Sequence, residues 1–150
     1  MFPGFTLADF QRLPLPAGTP NIEPDNGYTL VNVPTNVYAK AEPVTLATQL
    51  VGFPVQVRAT PSRFAWTFGD GESLGPTEEA GAPYPALTVT HEYRKSGQFP
   101  ITLTTYYTGE YSVAGGPWLP IAGEAQVASA PVAVEALRGT NHLVAGEAAG

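Results

Sequence analysis

The sequence contains no cysteine, so disulfides, thiolate metal sites and thiol nucleophiles are excluded. That absence leaves the compartment open, since a surface protein can fold without disulfides. Charge is scarce as well: 13% of the residues are Asp, Glu, Lys or Arg, about half the share of an ordinary soluble domain. Seven residues are Lys or Arg against thirteen acids, for a net charge of −6. The only basic pair is Arg94-Lys95. Phosphate backbones are held by several cations on one face, so nucleic-acid binding is excluded, as is an electrostatic anchor on an anionic membrane. No window approaches the roughly 18 apolar residues that a membrane-spanning helix needs. Residues 1–10 have neither a basic start nor an apolar run of leader length; the expectation is a chain that is not exported, or one that begins after a removed leader or anchor.

Long helices lack room, because sixteen glycines and sixteen prolines punctuate the 150 residues. What remains is ample apolar material, 43% with 11% aromatic, enough for one domain with a real core. With so few charges the surface must be built from Thr, Ser, Gln, Asn, Gly and Pro, a texture common in all-β extracellular modules.

Residues 1–27 are the least regular. Residues 7–13 suit two helical turns with Thr6 as N-cap; Pro14, Pro16, Pro20 and Pro24 then force an extended path. The expectation is a Pro-rich tethering arm. Short strand signals follow at 28–33, 37–39 and 44–51. Val55, Val57 and Ala59 alternate with polar neighbours, as do Phe64, Trp66 and Phe68 beyond an expected turn at Pro61-Ser62. Gly69-Asp70-Gly71 closes that strand, and residues 72–86 read as a loop. Val89, His91 and Tyr93 alternate, Gly97 breaks the chain, and Phe99, Ile101 and Leu103 face one way. Residues 109–123, around Gly115-Gly116-Pro117, read as a hairpin-like excursion. One or two strands flank Pro131, and 139–150 is expected to fray. Strands with turn signals about every 8–12 residues and no long helix indicate a sandwich or barrel.

The run Trp66-Thr67-Phe68-Gly69-Asp70-Gly71, followed by His91-Glu92-Tyr93 and by Gly97-Gln98-Phe99-Pro100-Ile101-Thr102-Leu103, resembles the signature of PKD (polycystic kidney disease) domains. Two spaced motifs in the right order carry the likeness, over about a third of the chain; with the Pro-Leu-Pro arm and the Trp118 excursion, the wider pattern is similar to PKD-containing exported proteins of actinobacteria. The resemblance implies an Ig-like antiparallel β-sandwich over residues 28–138, seven-stranded, with Trp66 between the sheets. It also implies a spacer or ligand-binding role on surface or secreted proteins. Thr67 stands where the family has Asp, and the stretch from Gly71 to His91, the excursion and residues 1–50 exceed the family pattern.

No residue set points to catalysis. Asp70 in a Gly-Asp-Gly turn caps backbone N–H groups more readily than it does chemistry. With Glu72, Glu78 or Glu79 it forms a weak calcium candidate, at a spacing that matches no known loop. His91 lies in an apolar-alternating strand, His142 lies in the tail, and no Gly-x-Ser-x-Gly elbow exists. No cofactor motif is present. The better binding candidates are Tyr106, Tyr107, Tyr111 and Trp118, since aromatic rings stack on sugars and dominate interfaces. The expected function is therefore a non-catalytic extracellular or cell-surface module for protein interaction, adhesion or spacing. The alternatives are a carbohydrate-binding accessory domain and a structural subunit of a pilus, envelope or phage assembly. The expected partner is a protein or glycan at a cell surface, without membrane insertion.

Overall fold

The computed structural model describes residues 4–138; the tail expected at 139–150, with His142, lies outside the described residues. In chain order the elements are helix α1 (Leu7–Gln11) and strands β1 (Thr19–Glu23), β2 (Tyr28–Leu30), β3 (Thr35–Lys40), β4 (Val44–Leu50), β5 (Phe53–Thr67), β6 (Ser73–Thr77), β7 (Thr90–His91), β8 (Gly97–Val113), β9 (Leu119–Ala128) and β10 (Val132–Leu137). The described residues are all-β apart from one short helix. A three-stranded sheet, β1-β3-β7, faces a larger sheet of order β2-β10-β8-β5-β4, to which β6 adds on β5 and β9 on β8. No helix among the described residues is long and apolar enough to cross a membrane.

The alternation read from the sequence explains the first core. Trp66 and Leu103 are register partners on β5 and β8, and side chains at positions two apart share a face. Phe64, Trp66, Phe68, Ile101 and Leu103 therefore meet Val37, Val89 and Tyr93 in one buried cluster. Trp66 is fully enclosed, at the centre of the sandwich.

Strands β5 and β8 then run on together beyond this core. The turn expected at Pro61-Ser62 is instead a bulge within a continuous β5: Pro61 opposes Tyr107, Arg63 opposes Tyr106, and Ser62 is the extra residue. A bulge accommodates proline because the ladder is interrupted there, and Ser62 Oγ bonds the Tyr106 carbonyl and the Glu124 carboxylate, at 3.1 and 2.7 Å. The 72–86 loop likewise contains a strand, β6, paired with β5. The excursion is a true hairpin, the distal part of β8 returning as β9.

The N-terminal segment does not stand off as a tether. Thr6 caps α1 reciprocally: its Oγ1 accepts the Asp9 N–H at 3.2 Å while the Asp9 carboxylate accepts the Thr6 N–H at 2.9 Å. The Asp9 carboxyl sits below its ordinary range, chiefly through that Thr6 N–H. Phe5, Phe10 and Leu15 then bury themselves against Val55, Val57, Ala59, Tyr107, Ile121 and Ala125 in a second core. Gly109 makes room for this, because a Cβ there would meet the Phe10 ring at 2.7 Å. Gln11 Nε2 donates to the Gln126 carbonyl and its Oε1 accepts the Gln126 N–H, at 2.8 and 3.0 Å. Four prolines do force an extended path, but β1 spends it on pairing with β3 of its own chain.

Candidate binding site

Two places in the fold gather polar groups with aromatic or apolar neighbours. The first is the turn after β5. Gly69 (φ +83) has no space for a side chain, since a Cβ would fall 2.5 Å from Pro100 Cδ. Asp70 Oδ1 accepts the Glu72 N–H at 3.0 Å, and its Oδ2 lies 2.7 Å from His91 Nε2. The His91 ring lies parallel on Phe68, 4.0 Å between centroids, and meets Tyr93 edge-on. Tyr93 in turn stacks on Phe99 and donates its hydroxyl to the Phe68 carbonyl at 2.8 Å. Burial pushes the Asp70 carboxyl up, but the bonds from His91 and the Glu72 N–H outweigh it and hold it below its ordinary value. Burial also drives the Tyr93 phenol well above its usual range, with the Asp70 charge adding to it.

Of the calcium candidates, the fold brings Asp70 and Glu72 together, and adds His91: ligand atoms of the three lie within 4.8 Å of one another. Glu79 is engaged elsewhere, accepting the Gly81 N–H at 3.0 Å, and Glu78 is not in the cluster. A hard cation wants six or more oxygens, whereas here one donor is an imidazole nitrogen, and of the Asp70 oxygens one serves the turn and the other holds His91. The arrangement is a clasp that joins the β5 turn to β7.

The aromatic candidates do not form one surface. Tyr107 is buried in the second core, its hydroxyl donating to the Pro16 carbonyl at 2.7 Å, and burial raises its phenol. Tyr111 opposes Val57 on the same sheet face and stacks under Phe5. Trp118 lies on the other face, beneath the Arg58 guanidinium at 3.8 Å, and Arg58 pairs with Glu110 at 2.7 Å. Tyr106 is covered by Arg63, which forks onto Glu124 at 2.6 and 3.1 Å; Arg63 and Ser62 hold the Glu124 carboxyl below its ordinary value.

The second place is a groove of about 510 Å³ lined by Glu23, Pro24, Asp25, Val33, Pro34, Asn36, Tyr84 and Leu87. None of its lining residues is among the individual binding candidates read from the sequence, although Glu23, Pro24, Asp25 and Tyr84 come from two of the segments that exceed the family pattern. Glu23, at the end of β1, opposes Asn36 on β3. One Glu23 oxygen accepts both the Asn36 Nδ2 and the Tyr84 N–H, at 2.9 and 2.7 Å, and the same Nδ2 reaches the Ala82 carbonyl at 2.9 Å. This network pins the loop of residues 82–87 against the sheet. Pinned this way, the loop leaves Tyr84, Leu87 and Val33 at 71%, 50% and 44% exposure, unusual for large apolar side chains so close together. Among the described residues no cation pairs with Glu23 or Asp25. The signal in the sequence was faint: Tyr84 set between Pro83 and Pro85, with Leu87 two positions beyond, where core-forming periodicity is absent.

Fold and site together define a sandwich module in which Asp70, Thr6 and Glu23 serve a turn, a helix cap and a loop. The PKD domain profile matches residues 29–106, more than half of the chain, and the protein belongs to the PKD domain family. PKD domains are generally non-catalytic Ig-like modules, typically extracellular, that mediate protein interactions. Comparison with curated proteins and with solved structures gives no match.

Proposed function

We propose that the chain is a non-catalytic cell-surface module that holds a protein partner in the groove beside β1 and the 82–87 loop. The observation that carries this reading is the exposure of Val33, Tyr84 and Leu87 around a rigid, hydrogen-bonded floor. Apolar side chains held out of a core on a fixed scaffold are what an interface anchor needs. Glu23 and Asp25 give the rim a negative charge, which suits a partner segment presenting Lys or Arg beside an apolar residue. The glycan reading draws less support, because Tyr111 and Trp118 lie on opposite sheet faces and each already carries a neighbour.

The test is a binding comparison between the intact protein and a Tyr84→Ala, Leu87→Ser variant. Both are applied to envelope proteins of the source organism and to a glycan array. Both replaced side chains are exposed, so the variant should fold. Loss of at least tenfold in partner affinity is expected. Equal binding by both, or binding to glycans alone, overturns the groove as the interface.

A further inference from the structure

Strand β4 is an outer strand of the larger sheet. It pairs with β5 on one side, and among the described residues no strand pairs with its other side. An open edge presents a row of free N–H and C=O groups, so proteins usually guard it with lysine, proline, a bulge or an inward charge. Strand β4 has none of these. It reads Val44-Thr45-Leu46-Ala47-Thr48-Gln49-Leu50, and its register with β5 is unbroken from end to end.

Its inner row is also incompletely covered. Val44, Leu46, Thr48 and Leu50 oppose Ala59, Val57, Val55 and Phe53, and so face the second core. Helix α1 packs on β9, beyond β8 and β5 from this edge. The β5 residues of that row, Val55, Val57 and Ala59, are buried, whereas Val44, Leu46 and Leu50 are only partly so.

We infer that β4 pairs with β4 of a second copy of this chain, antiparallel about a two-fold axis at Ala47. The strand is its own complement in that register. Val44 opposes Leu50 of the second copy, Thr45 opposes Gln49, Leu46 opposes Thr48, and Ala47 opposes Ala47. Side chains alternate with a period of two, so the half-covered apolar rows of both copies fall on the same face. Centring on Ala47 is the register that pairs all seven residues. Each copy carries a net charge of −6, but β4 has no charge, so the contact brings no like charges together and screening attenuates the rest beyond about 8 Å. The contact is isologous and closed, which gives a dimer rather than a fibre. It is independent of the groove, and either can fail without the other.

Cysteine cross-linking tests the register directly, because the chain has no cysteine of its own. Ala47 and Gln49 both lie on the exposed outer row. Opposed residues across an antiparallel pair have Cα atoms about 4.5–5.5 Å apart, within the span of a disulfide. Under mild oxidation the Ala47→Cys protein should form a covalent dimer at least tenfold faster than Gln49→Cys, whose cysteines would sit roughly 13 Å apart along the strands. Sedimentation of the Ala47→Lys protein, which sets two ammonium groups face to face, should show dimerisation weakened by at least tenfold with the melting temperature of the monomer unchanged. A wild-type protein that stays monomeric at millimolar concentration overturns the proposal, as does equal cross-linking at the two positions.

Discussion

The two halves of the molecule share the same two long strands but are closed in different ways. In one half, sheet faces sheet across Trp66 and its neighbours, and most of the residues lie within the segment matched to the family, with Val134 and Ala136 of β10 added from beyond it. In the other half, among the described residues, no sheet opposes the larger one, and a single helical turn with its flanking residues forms the lid over Val55, Val57, Ala59 and Tyr107. Both the lid, residues 5–15, and the β9 strand it meets lie outside residues 29–106. The comparison teaches that the two departures from the family pattern are one departure. A lengthened hairpin exposes an apolar face, and the N-terminal segment covers it. Neither has a folding rationale without the other.

The comparison can be broken most severely at Trp66. Truncating a fully enclosed indole leaves a large cavity, so Trp66→Ala should cost ~3–5 kcal/mol by denaturant unfolding. A thermal midpoint within a degree or two of wild type would remove Trp66 from the centre of the fold. Phe10→Ala should cost ~3 kcal/mol, but locally. Amide exchange should accelerate along β4 and β9 while the amides of Ile101 and Leu103 keep their protection. Equal acceleration in both halves would show that they open as one unit.

The smallest expected effect separates the halves by pH. The Asp70 carboxyl titrates below its unfolded value of 3.8 in the folded chain. Its contribution is therefore complete above that value and is lost as pH falls through the lower, folded one. The unfolding midpoint should drop on acidification below about pH 4, and Asp70→Asn, which lowers stability by about 1–2 kcal/mol at neutral pH, should flatten that limb. Some slope will persist, because Glu124 in the other half is depressed in the same direction. An acid limb unchanged by Asp70→Asn would mean that the clasp with His91 contributes nothing.

The sandwich was legible because its signals are local: alternation at 64–68 and 99–103 names the inner face directly, and Gly69-Asp70-Gly71 names the turn. Thr6 announced its helix in the same way. The continuity of β5 through Pro61 was illegible, since a proline inside a strand is tolerated only where the partner strand permits a bulge, and the partner is Tyr106-Tyr107, more than forty positions away. The docking of the arm rests on contacts such as Gln11 with Gln126, separated by 115 positions, which no window of sequence contains. Tyr107 seemed available for the same reason: nothing near it announces that Phe10 and Pro16 will cover it. The groove depends on Glu23, Asn36 and Tyr84 meeting from three segments. Only the chain's path shows that Tyr84 and Leu87 are left outside.

Strands β5 and β8, fifteen and seventeen residues long, act mechanically as well as topologically. At about 3.3 Å per residue, β8 is a rod of roughly 55 Å, braced along most of its length by its neighbour and gripped by a separate core at each end. A sideways load on the tip around Gly115 passes to the sandwich through the backbone ladder of β5 and β8, across the bulge between Pro61 and Arg63.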